Sequence, residues 1–233
     1  LNKGVFIVGT DTDVGKTIVT AGLVYVLRKS GINTCCFKAV LSGGIRENKK
    51  LIPGDVKLVK EVSKIHETYE VMNPYCLETP VSPHLAAKLE NVQIDREKIL
   101  NTYRRLSEKY EFLVAEGSGG IIVPIIDKSY FIYDLIKDLN LPVIIVARAG
   151  VGTINHTALT VKFAESVGLD IKGIIINRYT DEIHVKDNID TIKEITNKEI
   201  IAVIDDLNNY KKNGYEELKA EFEKKIDVNK IIS

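Results

Sequence analysis

A β-branched run, Val5 to Val8, ends in the segment Gly9-Thr10-Asp11-Thr12-Asp13-Val14-Gly15-Lys16-Thr17, and residues Ile18 to Arg28 then recur with helical apolar spacing until Ser30-Gly31. A strand, a loop closed by Gly-Lys-Thr and a helix in that order form the context in which a loop wraps phosphate. Successive backbone N–H groups at the loop and helix start face the anion, Lys16 reaches the outer phosphates, and the Thr17 hydroxyl is placed for Mg²⁺. Gly15 permits a close backbone approach that a side chain would block. The strict pattern puts glycine at position 10. Here Thr10 stands there and Gly9 precedes it, yet the flanking elements supply what the chemistry needs, so a triphosphate site is expected. The acidic Asp11 and Asp13 in the same loop are electrostatically unfavourable beside polyphosphate unless they face solvent or a cation such as a metal or an amine.

A second β-rich run, Thr34 to Val40, follows within a few residues, so the first unit reads as strand, helix and parallel strand. Further buried-strand candidates are Phe112 to Ala115, Val143 to Ala147, Ile171 to Ile176 and Ile200 to Ile204, with helical patterns between them. This alternation predicts an α/β P-loop NTPase fold with a mainly parallel sheet flanked by helices on both faces. The 233 residues suit one domain spanning 1–233. Between residues 42 and 100 repeated Gly and Pro breaks predict loops and short helices.

Lys plus Arg number 32 and Asp plus Glu number 32, so no broad positive field points to nucleic acid or an anionic membrane, and the anion site must be local. The longest apolar runs, such as Leu141 to Ala147, are too short to span a bilayer. Three cysteines, Cys35, Cys36 and Cys76, suggest no bridge or chelate, and without a basic-then-apolar leader pattern the expected compartment is the reducing cytoplasm. Lys57, Lys60 and Lys64 lie at helical spacing and read as a solvated face. His84 and His156 have no metal-ligand spacing and read as structural.

The loop Gly9 to Thr17 resembles that of the dethiobiotin synthetase family. Four further segments resemble the family in the same order: Phe37 to Gly43, Asn73-Pro74-Tyr75 with Ser82-Pro83-His84, Glu116-Gly117-Ser118-Gly119-Gly120, and Gly152 through Asn155-His156. The resemblance runs to about residue 180 and is weaker beyond. It implies an enzyme of biotin biosynthesis, a ligase that joins CO₂ to the two amines of 7,8-diaminopelargonic acid while ATP becomes ADP and phosphate. One amine is carboxylated to a carbamate, whose oxygen takes the γ-phosphoryl group. The second amine then closes the ring on the mixed anhydride.

The resemblance also implies roles. Lys38, a cation at the end of the second predicted strand, would stabilise charge on the carbamate and transferring phosphoryl group together with Lys16, while Thr12 and Asp13 lie near phosphates and diamine. Ser42 would contact substrate. Thr17, Asp55 and Glu116 would hold Mg²⁺, although Asp55 alone could equally be a helix N-cap and Glu116 a strand-end surface charge. ATP would lie against Asp13, Val14, Gly15, Lys16, Thr17, Ile18, Asp55, Glu116, Gly117, Ser118, Gly119, Asn177, Arg178, Ile204, Asp205 and Asp206, with Asn177 reading the adenine edge. Gly152, Thr153 and Asn155 open a helix after the fourth core strand and would reach the diamine site of a neighbouring subunit, which implies a homodimer. Two departures stand out: Ala39 replaces a usual Pro, and Asp205-Asp206 replaces a segment with a Pro that borders the adenine, leaving the triphosphate preference open.

The rival reading is a partitioning or cell-division-type ATPase switch of the same fold. Its signature lysine would fall at position 10, which is Thr10, and the charges of Glu216 to Lys225 are mixed rather than basic. A GTPase switch is a third reading, but Asn177-Arg178-Tyr179-Thr180 lacks the Lys and Asp of the usual guanine-reading motif.

Overall fold

Strands that are β-branched on both faces must be covered on both faces, and this dictates the architecture. The structure, a computed structural model, describes residues 4–207 and 210–233. In chain order come β1 (Gly4–Gly9), α1 (Lys16–Lys29), β2 (Thr34–Phe37), β3 (Val40–Ser42), β4 (Ile45–Glu47), β5 (Lys50–Ile52), α2 (Gly54–Ser63), α3 (Tyr69–Met72), β6 (Tyr75–Leu77), α4 (Pro83–Leu89) and α5 (Arg96–Lys109). Then follow β7 (Phe112–Gly120), β8 (Pro124–Ile126), β9 (Tyr130–Phe131), α6 (Ile132–Leu139), β10 (Val143–Arg148), α7 (Thr153–Ser166), β11 (Ile171–Tyr179), α8 (Ile183–Thr196), β12 (Ile200–Asp205), α9 (Glu216–Lys225) and α10 (Val228–Ile232).

Six strands form one sheet in the order β12-β11-β10-β1-β7-β2, every neighbouring pair parallel. The expected doubly covered parallel sheet is what the chain forms. Its central strands supply the core: Val5 to Val8, Leu113, Val114 and Val143 to Ala147 are buried throughout. From β1 the chain runs out to β2 at one edge, returns to place β7 between them, and then builds β10, β11 and β12 on the other side. Winding reverses beside β1, and in open α/β sheets such a reversal leaves a crevice at the carboxyl ends of the strands.

Strands β2 and β7 differ from their sequence expectation where they reach the crevice. The second ends at Phe37 instead of reaching Val40. The N–H of Lys38 donates to Met72 O at 2.9 Å, and Asn73 Nδ2 donates to Lys38 O at 2.7 Å and Tyr75 O at 3.1 Å. With its peptide groups satisfied there, the chain leaves the main sheet and re-forms as β3, parallel to β6. The strand beginning at Phe112 instead continues past Ala115 to Gly120, which pairs with Gly9, and small residues let it run on beside the phosphate loop.

Helix α9 lies against α1 and closes the core from the C-terminal side. Phe222 is fully buried, and a Cβ on Gly22 would collide with its ring. Burying a Phe side chain contributes roughly 1.5–3 kcal/mol. Tyr25 OH donates to Glu223 at 2.6 Å, which adds a polar tie at the rim. Among the described residues no helix is long and apolar enough to cross a membrane.

Candidate active site

Backbone geometry builds the phosphate loop first. Gly15, at φ 97°, is the N-cap of α1, and no side chain caps the helix, so its first-turn donors are directed at the cavity. A Cβ on Gly9 would stand 2.7 Å from Asp11 O and 2.9 Å from Lys16 Nζ, so the displaced glycine is needed where the loop folds on itself. Gly15 is constrained from behind as well. Asn177, buried at the end of β11, donates through Nδ2 to Val14 O at 3.0 Å, and a Cβ on Gly15 would overlap that amide.

A cavity of about 700 Å³ opens at this edge. Of the residues singled out from sequence, Thr12, Asp13, Gly15, Lys16, Thr17, Ile18, Lys38, Ser42, Asp55, Glu116, Ser118, Gly119 and Arg178 line it together. They come from segments as far apart as the phosphate loop, β3, α2, β7 and the end of β11.

Its centre is a cluster of charge. Lys38 Nζ lies 2.6 Å from Glu116 Oε1, contacts Asp55 Oδ2 and stands 3.5 Å from Gly117 O. Glu116 Oε1 also accepts from Thr17 Oγ1 at 3.0 Å. Burial works against the Lys38 charge, but Glu116 and then Asp55 outweigh it and hold the ammonium above its ordinary range. Asp55 shows the complement: burial pushes its carboxyl up, yet the Lys38 cation and a bond from Thr17 hold it below the usual range. Lys16 is bent back so that Nζ donates to Asp11 O at 3.0 Å. Burial first, and then the Lys38 charge, lower its pKa, so it gains most from an anion in the loop.

Thr17, Asp55 and Glu116 present hard oxygens to one point. Among the described residues no cluster of three His, Cys, Asp or Glu side chains gathers. A set of two carboxylates and one hydroxyl nevertheless suits Mg²⁺, which keeps waters and takes phosphate oxygens rather than a full protein cage.

Other expected residues sit elsewhere. Val14 is buried within the loop, and Gly117 presents its carbonyl toward Lys38. Ile204 is in the core. Asp205 accepts the Lys225 ammonium at 3.4 Å while its N–H donates to Glu221 at 2.9 Å, and the Asp206 N–H donates to Tyr179 O at 3.0 Å. Lys225 of α9 is shared between Asp205 and Glu221, and so offsets only part of the negative charge gathered there. Gly152, at φ 87°, caps α7, with Thr153 buried and Asn155 exposed, and none of the three lines the cavity of its own chain. His84 keeps its buried Nδ1 unpartnered among the described residues, and His156 joins no metal-ligand cluster there.

Sequence reasoning missed the outer wall. Lys57 lines the cavity and pairs with Glu47 at 2.5 Å, while Glu61 on the same helix accepts from Tyr215 OH. Tyr210 and Lys211 border the same side. The i to i+4 spacing of Lys57 and Glu61 was a signal that both occupy one face of α2.

Kinship follows the geometry. The ATP-dependent dethiobiotin synthetase BioD of Clostridium kluyveri is 52% identical over 233 residues, covering 99% of this chain and 97% of the relative. That of Clostridium novyi is 50% identical, covering 99% and 98%. The chain belongs to the ATP-dependent dethiobiotin synthetase family. A family profile described as an AAA domain matches residues 3–213. Among solved structures, a ParA family ATPase from Chlorobium tepidum aligns with TM-score 0.60 at 12% identity, covering 96% of this chain and 92% of that one. The MinD cell division protein of Aquifex aeolicus aligns with TM-score 0.57 at 18% identity, covering 95% and 96%. These two likenesses show the α/β fold that dethiobiotin synthetases share with partitioning ATPases, and nothing of their switching.

Proposed function

We propose that the chain is a dethiobiotin synthetase that uses Mg-ATP and CO₂ to close the ureido ring of 7,8-diaminopelargonic acid, releasing ADP and phosphate. Kinship of 52% over nearly the whole chain carries this reading. The cavity, with two lysines, two carboxylates and a phosphate loop, fits it.

In the reaction one amine takes up CO₂ as a carbamate. A carbamate oxygen bonds to the γ-phosphorus as the bond to the ADP oxygen breaks. The second amine attacks the carbonyl carbon, phosphate leaves, and the ring closes. Phosphoryl transfer needs positioning and charge stabilisation more than covalent help from the protein. The loop N–H groups and Lys16 hold the outer phosphates, and Lys38 neutralises charge on the carbamate and transferring group. Ser42, with Thr12 and Asp13, positions the diamine. Thr17, Asp55 and Glu116 would hold a divalent cation, which would supply charge stabilisation to the phosphates when bound.

The nucleotide extends along Val14 to Ile18 and Gly117 to Gly119, with its base toward Arg178, the one of the expected base contacts that lines the cavity. The free thiols of Cys35, Cys36 and Cys76 suit the reducing cytoplasm.

The test is phosphate release. Protein supplied with Mg²⁺, bicarbonate and ATP should release phosphate only when diaminopelargonate is added, and faster with ATP than with CTP or GTP. Brisk release without the diamine would favour a switch protein.

The substrate site spans two subunits in this reading. Asn155 and Leu159 share a face of α7 one turn apart, and Val151 and Leu159 are exposed at 83% and 62%, an apolar surface suited to a second copy. Mixing inactive Asn155→Ala and Lys16→Ala proteins should restore part of the activity, because one hybrid site keeps both residues. No restoration would count against a shared site.

A further inference from the structure

Lys38 is bound to the oxygens that its own reaction needs for something else. Its ammonium contacts Asp55 Oδ2 and lies 2.6 Å from Glu116 Oε1, and that same oxygen accepts the Thr17 hydroxyl at 3.0 Å. These three groups are the oxygen donors suited to a divalent cation. A cation at coordination distance from them would lie against a buried ammonium, and in a site shielded from water that repulsion is strong. One carboxylate pair therefore serves one cation at a time. Lys38 is packed tightly from behind by Thr20, Cys36, Asp55 and Glu116, so it has room to move only forward. In front is the cavity, with Ser42 and Thr12 on its wall.

We propose that Lys38 and the divalent cation compete for the Asp55–Glu116 pair, so that loading the metal releases the Lys38 ammonium into the cavity toward the phosphoryl acceptor. The exchange leaves the carboxylates with a cation throughout, the single ammonium giving way to a divalent ion that matches their two charges. It also makes the acceptor's cation available only once the nucleotide's metal is in place. The inference rests on the metal site of the proposed reaction. Its test reads metal binding, so failed turnover on diaminopelargonate would leave it standing.

Mn²⁺ binding without nucleotide, followed by electron paramagnetic resonance, compares wild type with Lys38→Met and Lys38→Arg. Removing the competing charge should tighten Mn²⁺ binding about tenfold or more, whereas arginine should leave it near wild type. Equal or weaker binding by Lys38→Met overturns the competition. Should Lys38→Met not fold, lysine ¹⁵Nζ resonances of the wild-type protein decide. The Lys38 signal, assigned by its loss in Lys38→Arg, should shift or broaden when Mg²⁺ is added at concentrations that saturate Mn²⁺ binding. An unmoved signal overturns the proposal.

Discussion

Lys38→Ala should lower turnover by about 10²–10³, the cost of removing one group aimed at developing charge, while ATP affinity stays close to wild type. The split follows from position. Lys16 and the loop N–H groups hold the phosphates in ground and transition states alike, whereas Lys38 stands at the end of β2, tied to Glu116 and Asp55. Interactions gained only in the transition state appear in kcat. Phosphate release under saturating ATP and diamine, beside direct ATP titration, reads the two quantities apart. Unchanged turnover would remove Lys38 from catalysis.

The same substitution should change how stability depends on pH. In the wild type the Asp55 carboxyl is held below its ordinary 3.8, so its contribution is present above that value and lost as pH falls through the lower folded one. Lys38 is held above its ordinary 10.5, so its contribution is complete below 10.5 and lost only as pH rises through the folded value. Across neutral pH the ion pair stays intact. Without Lys38, Asp55 loses the main charge that offsets its burial and its carboxyl rises, so the variant should gain stability on mild acidification where the wild type does not. Chemical denaturation at pH 5 and pH 7 should show the variant more stable at the lower pH while this pair adds no such gain to the wild type, and parallel curves would mean that Asp55 does not depend on Lys38.

How much of this was legible in sequence depends on how far apart the interacting residues lie. The phosphate loop reads directly because strand, glycines, Lys16, Thr17 and helix are contiguous. The parallel sheet reads because each strand carries its own apolar run. Lys57 misleads, since its helical spacing with Lys60 and Lys64 suggests a solvated face. In the structure Lys57 pairs with Glu47 on the cavity wall, and Lys60 lies 4.6 Å from the Tyr69 ring centre. That arrangement depends on how the β4–β5 hairpin folds beside α2, which helical periodicity cannot encode. Asp205 is similar: α9 brings Lys225, twenty positions further on, against its carboxylate. Tyr215 reaches Glu61 across 154 positions, a separation that no local pattern spans.

Gly15→Ala should remove most ATP binding and cost about 3 kcal/mol or more of stability, from strain at positive φ and overpacking against a neighbour. At φ 97° alanine is strained before any contact is considered, and its Cβ would overlap Asn177 Nδ2, displacing the donor that holds Val14 O. A buried carbonyl left without its partner adds a further desolvation penalty. The cause can be isolated by a double-mutant cycle. Asn177→Ala alone sets the cost of losing the amide. If collision with the amide dominates, Gly15→Ala should do much less additional harm in the Asn177→Ala background than in the wild type. If the harm is the same in both backgrounds, the fault lies in the backbone conformation itself or in a Cβ obstructing phosphate approach, and Asn177 would be only a bystander behind the loop. The observed overlap predicts the first result, with strong positive coupling in both ATP affinity and denaturation midpoint.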